Sequence, residues 1–86
     1  MKAKLRKGVR IRPEAFGGVV QIKDGGAFQV DPIGFDIISQ IKEGIEIDHI
    51  IKNMKEKYED SPKVEEDIHK FTQKLVEEGV IEIEKE

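Results

Sequence analysis

The stretch of sequence that decides the fold is residues 16–31, which read Phe-Gly-Gly-Val-Val-Gln-Ile-Lys-Asp-Gly-Gly-Ala-Phe-Gln-Val-Asp. Apolar residues flank Asp24-Gly25-Gly26 on both sides, a pattern that predicts a β-hairpin with its turn at those three residues. The hairpin leads directly into a helix, because Asp31 can accept backbone N–H groups as the N-cap and Pro32 suits the first helical turn. The rest of the chain is organised around this hairpin.

The side chains select a register for the hairpin. A three-residue turn pairs Val20 with Val30 and Ile22 with Phe28, so that one face of the hairpin is apolar and the other is polar. A two-residue turn would mix both kinds of side chain on each face. The three-residue register is therefore predicted, with the turn glycines supplying the positive φ angles that such a turn needs.

Composition bounds the class of protein. The chain has 86 residues, enough for one small domain. It has no cysteine, which excludes disulfides, thiolate metal sites and a cysteine nucleophile. No apolar run is long enough to span a membrane, and the basic start is not followed by the apolar segment of a signal peptide, so a cytoplasmic location is expected. Charged residues make up 38% of the chain and asparagine occurs once, a composition that favours a thermophilic source.

Charge is distributed unevenly along the chain. The segment before Glu14 carries only basic charges, whereas acidic residues dominate the last ten residues. Two interpretations are open: each end is a solvated tail, or one of them makes an electrostatic contact with an acidic peptide or partner enzyme. The basic residues concerned are Lys2, Lys4, Arg6, Lys7, Arg10 and Arg12, and the acidic ones are Glu77, Glu78, Glu82, Glu84 and Glu86.

The segment before the hairpin predicts one strand. Residues 1–8 lack periodicity and are predicted to form a flexible basic arm, which leaves residues 9–84 as a single domain. Residues 9–12 alternate and predict a strand that ends at Pro13, within a turn of residues 13–15. Gly17-Gly18 predicts a bend or bulge in the next strand; it is not a phosphate loop, because no helix follows it.

Three helices follow the hairpin. The first runs from Asp31 to Gly44 with an apolar arc of Ile33, Ile37, Ile38 and Ile41, and Phe35 points away from that arc, either tucked under the sheet or exposed. The second covers residues 47–58, and its apolar face consists of Ile47, Ile50, Ile51, Met54 and Tyr58. The third begins at Ser61-Pro62 and ends at Gly79, where a Schellman motif is predicted, and residues 80–83 predict a short strand. Its apolar stripe is Val64, Ile68, Phe71 and Leu75, with Thr72 and Val76 on one shoulder and Asp67, Lys74 and Glu78 on the other, Lys70 lying just beyond.

This order of elements predicts an α+β fold. It is winged helix-turn-helix-like, with a three-stranded antiparallel sheet followed by three helices and a short C-terminal strand. No catalytic residue, metal site or cofactor motif is predicted. His49 and His69 lie on different helices outside any metal-binding spacing, and no dinucleotide or phosphate-loop pattern occurs. We therefore expect a protein that is not an enzyme.

Taken together, these segments resemble the PqqD family, the small peptide-recognition domains of pathways that modify ribosomally made peptides. The resemblance extends from about Val9 to Ile83. Residues 12–18, Arg-Pro-Glu-Ala-Phe-Gly-Gly, further resemble the branch that serves mycofactocin maturation. The segments that carry the family resemblance are residues 9–12, the strand ending in residues 28–31 before a helix, residues 47–51 before Tyr58, and residues 64–68 continuing through Leu75 to residues 79–81.

The resemblance implies a non-catalytic chaperone that needs no cofactor. Members of the family bind the leader of a precursor peptide and present it to a radical SAM enzyme, the leader adding as a strand to residues 27–31 in a groove closed by the third helix. Which shoulder of that helix lines the groove is left open. Carried over by position, the peptide-binding residues are Ala27, Phe28, Gln29, Val30, Asp67, Lys70, Phe71 and Lys74.

Two other interpretations stay open. A winged-helix DNA-binding protein has the same order of elements, but Glu65, Glu66 and Asp67 on the third helix oppose the approach of phosphate, so a nucleic-acid partner is not expected. The chain could also be an interaction domain that docks on, or is cut from, a larger enzyme. Neither a membrane nor a metal partner is expected.

Overall fold

The computed structural model of the protein describes residues 2–58 and 62–84. The predicted α+β architecture is confirmed: a three-stranded antiparallel sheet precedes three helices and a short C-terminal strand. A second sheet of two strands joins the ends of the chain. The elements are β1 (Lys2–Leu5), β2 (Arg10–Glu14), β3 (Gly17–Gln21), β4 (Ala27–Val30), α1 (Pro32–Lys42), α2 (Ile47–Lys57), α3 (Pro62–Glu77) and β5 (Ile81–Glu84).

The register of the β3–β4 hairpin differs from the prediction by two residues. Val20 lies opposite Phe28, and Gly18 lies opposite Val30, so the predicted pairing of Val20 with Val30 is wrong. Because side chains alternate with a period of two, this shift preserves the two faces. Val20 and Val30 are buried and Phe28 is half-buried, while Gln29 is exposed.

The loop between β3 and β4 explains the shift in register. Its centre is Asp24, one residue earlier than predicted, because the Ile22 N–H donates to the Gly26 carbonyl (3.1 Å) and the Gly25 N–H donates to the Ile22 carbonyl (3.2 Å). The positive φ in this loop belongs to Asp24, at 61°, and not to either glycine. Aspartate tolerates this conformation better than most residues with a side chain, so the assignment of positive φ to the glycines is corrected.

The strand β2 continues through Pro13, which was predicted to end it. Pro13 lies opposite Gly18, and the two-residue turn that follows is formed by Ala15 and Phe16. Since β2 is an edge strand in the order β2-β3-β4, a proline can be accommodated there without breaking the ladder. The turn predicted at residues 13–15 therefore lies at residues 15 and 16 instead.

Residues 2–5 form the strand β1, which corrects the prediction of a flexible arm at the N-terminus. This strand pairs antiparallel with β5, so that Lys2 lies opposite Glu84 and Lys4 opposite Glu82, with Lys4 Nζ 3.4 Å from the Glu82 carboxylate. Ala3, between the two lysines, is fully buried. Opposite charges across a strand pair are favourable, so the basic and acidic ends of the chain partly compensate each other.

Gly17 and Gly18 do not form the predicted bend or bulge, because the β2–β3 ladder runs through both of them. Their role is to allow close packing. A Cβ at Gly18 would overlap the ring of Phe35, reaching 2.6 Å from its Cε1 atom. Phe35 is therefore tucked under the sheet, which is the first of the two alternatives that its position off the helical arc left open. Gly17 has a φ of 137°, and a Cβ there would overlap the Val30 carbonyl.

The predicted ends of α1 are confirmed. The Asp31 carboxylate accepts the Gly34 N–H at 2.7 Å, Pro32 occupies the first helical position, and Gly44 follows the helix with a φ of 86°. Asp31 therefore fixes the direction in which the chain leaves β4, which places the start of α1 beside the sheet edge.

The predicted Schellman motif ends α3. The Val80 N–H donates to the Leu75 carbonyl at 2.9 Å, the Gly79 N–H donates to the Val76 carbonyl at 3.1 Å, and Leu75 and Val80 are both buried. The proposed N-cap, Ser61, lies outside the described residues. Within the described ranges no helix is long and apolar enough to cross a membrane. The apolar core consists of Ala3, Val20, Val30, Ile37, Ile38, Ile41, Ile47, Ile50, Ile51, Met54, Ile68, Leu75, Val80 and Ile81.

Candidate peptide-binding site

The strand β4 presents an open backbone edge. It is the last strand in the order β2-β3-β4. Since Ile22 donates to the Gly26 carbonyl, the alternation of an antiparallel ladder makes residues 28 and 30 the ones bonded to β3. The backbone N–H and C=O groups of Ala27 and Gln29 therefore point away from the sheet, and no loop or turn hydrogen bond in the described residues engages them.

A cleft of about 570 Å³ lies beside this edge. One side is β4 with the first turns of α1, the other side is α3, and the C-terminal end of α2 contributes Met54 and Tyr58. The lining is mainly apolar, while the polar residues Gln29, Asp31, Asp67, Lys74 and Glu78 surround it. The apolar lining residues are Phe28, Val30, Ile33, Ile37, Met54, Val64, Ile68, Phe71 and Leu75.

Phe71 forms the wall of α3 nearest to β4. It is half-buried, packs against the core and also lines the cleft. A Cβ at Gly34 would lie 3.1 Å from Phe71 Cζ and 3.3 Å from Val30 Cβ. The missing side chain of Gly34 therefore lets the ring approach the end of β4, so that the open backbone edge and the aromatic wall face the same space.

One shoulder of α3 faces the cleft, and its charged residues form what we call the charged rim. Asp67, Lys74 and Glu78 line the cleft, whereas Thr72 on the other shoulder is buried in the core. In the part of the chain that the structure describes, none of these three rim residues forms an ion pair within 4 Å. Their charges are therefore available to a bound ligand.

An ion pair between α1 and α2 lies beside Tyr58, which lines the cleft. Lys57 Nζ lies 2.7 Å from the Asp36 carboxylate, and the Tyr58 hydroxyl donates to the same carboxylate over 3.4 Å. The hydrogen bond that Lys57 donates to the Asp36 carboxylate, together with the attraction of that negative charge, raises the pKa of Lys57 above its usual value. Tyr58 is thereby oriented at the mouth of the cleft.

The structure brings six of the eight predicted binding residues together. Phe28, Gln29, Val30, Asp67, Phe71 and Lys74 line the cleft. Ala27 lies on the same edge but outside the cleft. Lys70 points elsewhere: its side chain is 72% exposed, and its Nζ atom lies 3.0 Å from Glu66.

Sequence reasoning missed the contributions of α1 and α2. Ile33, predicted on the buried arc of α1, is 46% exposed and lines the cleft, and Tyr58 lines it from the end of α2. Both residues belong to apolar stripes, so periodicity assigned them to the core. The one available signal was their position: each lies at a helix end, where an apolar stripe can extend past the core.

The site has the chemistry of a binding surface. In residues 2–58 and 62–84 no group of three or more His, Asp or Glu side chains is placed to hold a metal ion. His49 is exposed, and so is His69, whose Nε2 lies 3.8 Å from Glu65. What the cleft does offer is an open strand edge, an apolar wall and a charged rim, the three features that recognise an extended peptide.

Comparison with known proteins identifies a family and a shared fold. The sequence model of the family described as coenzyme PQQ synthesis protein D (PqqD) matches residues 14–81. The fold is similar to that of a lasso peptide synthetase B1 complexed with the leader peptide (TM-score 0.83, 19% identity, covering 95% of this chain and 99% of that one). It is also similar to that of TbiB1 in complex with the TbiA(beta) leader peptide (TM-score 0.85, 24% identity, 96% and 99%). No curated protein matches at a significant level.

Proposed function

Because this chain belongs to the PqqD family, whose model covers residues 14–81, we propose that it binds the leader of a ribosomally made precursor peptide by strand addition to β4. The observation that carries the proposal is the pair of open backbone positions, Ala27 and Gln29, beside an apolar cleft. The resemblance of the fold to two proteins in complex with leader peptides supports it.

The geometry predicts what such a peptide looks like. A peptide residue opposite Gln29 exchanges backbone hydrogen bonds with it and directs its side chain outward. The peptide residues opposite Phe28 and Val30 direct their side chains toward Phe71 and the cleft. The bound segment is therefore extended, with two apolar residues separated by one residue that can be of any type.

The role proposed for the protein is non-catalytic presentation of this peptide to a modifying enzyme. That the enzyme is a radical SAM protein is part of the proposal and rests on the family resemblance. That the pathway is the one for mycofactocin is likewise part of the proposal and rests on the resemblance of residues 12–18, in which Gly17 and Gly18 also serve the packing of Val30 and Phe35. The open edge and the cleft are the features that any such enzyme would have to leave accessible.

A display selection from random peptides tests the proposal directly. Random dodecapeptides are selected on the wild-type protein and counter-selected on Gln29→Pro, which removes the outward N–H without touching the ladder to β3. We expect peptides with the alternating apolar pattern to bind the wild type and to bind Gln29→Pro at least tenfold more weakly. Gln29→Ala is the matched control, since it changes the side chain and keeps the N–H, and it should retain binding.

The binding site is located by NMR. Titration of labelled protein with a selected peptide should shift the amides of residues 27–30 and of the cleft face of α3. The competing DNA-binding function is disfavoured by the exposed acids Glu65, Glu66 and Asp67 on α3. Unshifted amides at residues 27–30, together with salt-dependent binding of a DNA duplex, would replace the peptide-binding proposal with the DNA-binding one.

A substitution at Phe71 tests the role of the cleft wall separately from that of the strand edge. Phe71→Ala should weaken binding of a selected peptide about tenfold, since truncating an aromatic anchor commonly costs more than about 1 kcal/mol. Its stability cost should be about 2 kcal/mol, because only part of the ring is buried in the core. Val76→Ala is the control on the opposite shoulder of α3, outside the cleft, and should leave affinity unchanged. Equal affinities for the wild type and Phe71→Ala would show that this ring serves the core alone.

A further inference from the structure

The basic N-terminal segment is only partly explained by the fold. Lys2 and Lys4 face Glu84 and Glu82 across the β1–β5 pair, and Arg12 is paired with Glu14. Four exposed cations nearby have no such partner: among the described residues, no acid lies within 4 Å of their charged groups. These four are Arg6, Lys7, Arg10 and Lys23, and we refer to them together as the basic end.

The basic end is a single surface, although its residues come from two loops and from the start of β2. A Cβ at Gly8 would lie 2.7 Å from Lys23 Cβ, so the stem of Lys23 packs directly on the turn that carries Arg6 and Lys7. Arg10 lies opposite Gln21, two residues before Lys23, so its side chain is on the same face of the sheet. Asp24 is the single acid in the two segments 6–10 and 22–26. The local charge is therefore positive in a chain whose net charge is −3.

The basic end lies near the point where one end of a bound peptide would leave the β4 edge. The loop that carries Lys23 leads directly into Ala27, the first residue of β4. A peptide that continues the antiparallel order of the sheet runs opposite to β4, so its C-terminal part leaves the edge at Ala27. From a peptide strand added to β4 to the strand β2 is about 14 Å across three strand spacings, a distance that about four to five extended residues span.

Resting on the proposed function, we propose that the basic end binds aspartate or glutamate residues of the same peptide, C-terminal to the segment that pairs with β4. The remainder of the protein surface is acidic on balance, so an acidic peptide segment is attracted at this place and repelled elsewhere. The charge complementarity would fix the direction of the peptide and would raise its association rate more than its affinity.

Matched peptides test this directly. A peptide from the display selection is extended through a short Gly-Ser spacer by tetraglutamate or tetraglutamine at its C-terminus, or by tetraglutamate at its N-terminus. We expect the C-terminal tetraglutamate to bind about fivefold more tightly than its tetraglutamine partner, from a few exposed charge pairs. The difference should vanish at high salt, where the Debye length falls below the span of the contact. The N-terminal extension should give no gain.

Charge-reversal variants identify the surface. Lys7→Glu combined with Arg10→Glu should abolish the advantage of the C-terminal tetraglutamate while leaving the tetraglutamine peptide unaffected. The control combines Lys52→Glu with Lys63→Glu, two exposed lysines on α2 and α3, which gives the same net charge and should retain the advantage.

Each outcome bears on the proposal. Equal affinities for the tetraglutamate and tetraglutamine peptides, or an equal gain from the N-terminal extension, would overturn it and leave strand addition intact. A tetraglutamate peptide that lacks the apolar segment and binds as tightly as the complete peptide would also overturn the proposal. The acidic ligand of the basic end would then belong to a molecule other than the peptide that pairs with β4. If no selected peptide depends on the Gln29 N–H, the proposed function and this inference fail together.

Discussion

Replacing Gly18 by alanine tests how β3 is packed on α1. The Gly18 φ is not in the positive region, so alanine meets no backbone strain there. The added Cβ would overlap the ring of Phe35, lying 2.6 Å from Cε1 and 2.8 Å from Cγ, where carbon atoms normally rest about 3.5–4.0 Å apart. The ring would have to move by about 1 Å or more within a packed site, and overpacking of this kind costs about 1–3 kcal/mol.

The size of the effect is large for a domain of 86 residues. Its total stability should be about 5–10 kcal/mol, at roughly 0.1 kcal/mol per residue. A cost of about 1–3 kcal/mol would lower Tm by about 5–20 °C, as followed by circular dichroism, with a matching shift of the urea midpoint and no change of slope. We therefore expect Gly18→Ala to fold but to be much less stable than the wild type.

A double-mutant cycle tests whether the Phe35 ring is the cause. Phe35→Ala removes the obstacle, so Gly18→Ala should cost close to nothing in that background, giving a coupling of about 2 kcal/mol. Gly26→Ala is the control, because a Cβ at Gly26 meets no atom within 4 Å and its φ is also outside the positive region. An unchanged cost of Gly18→Ala after removal of the ring, or a cost equal to that of Gly26→Ala, would refute the packing explanation.

Two further stability predictions concern the second sheet and the core. Deletion of residues 2–5 should lower the free energy of unfolding by about 2 kcal/mol or more, because it uncovers Ile81 and removes the buried Ala3; a flexible arm would leave Tm unchanged. Thr72→Val should raise stability by about 1 kcal/mol in urea unfolding, since the Thr72 hydroxyl is buried and finds no hydrogen-bond partner among the described residues. A loss of stability in Thr72→Val would mean that the hydroxyl is satisfied.

Local signals in the sequence predicted the elements around α1 and α3 well. The cap at Asp31, the glycine after α1 and the Schellman motif at Gly79 each depend on a few neighbouring residues. Such signals act within one or two turns of the chain and do not depend on the rest of the fold. They placed β4 directly before a helix, which is why most of the strand-edge residues of the site were identified.

The parts that sequence reasoning missed depend on distant contacts. The strand β1 exists because β5, almost the whole chain away, supplies its partners, and four residues such as Lys-Ala-Lys-Leu carry little strand signal alone. The contribution of Ile33 and Tyr58 to the cleft depends on how α1, α2 and α3 pack. The predicted hairpin register was wrong by two residues, but the predicted faces were correct, because a shift of two residues keeps every side chain on the same face of the sheet.

The two edges of the three-stranded sheet differ in their ability to accept a peptide, and the difference lies in the backbone. Since residues 18 and 20 are bonded to β4, residues 19 and 21 of β3 are bonded to β2. They pair with Arg12 and Arg10, so the groups of Ile11 and Pro13 face outward from β2. Pro13 has no N–H, so the outward row of β2 keeps only the Ile11 donor, and the two arginines Arg10 and Arg12 flank that residue.

The outward row of β4 has neither obstacle. Residues 27–30 contain no proline and no charged side chain, and the cleft lies directly alongside. Prolines and charges are the devices by which proteins protect a sheet edge against pairing, so β2 is protected and β4 is open. On the proposed function, the pattern of backbone donors is sufficient to favour β4 over β2 as the edge to which a peptide adds. Phe71 and the charged rim of α3 would then act on a peptide that the strand edge has already oriented.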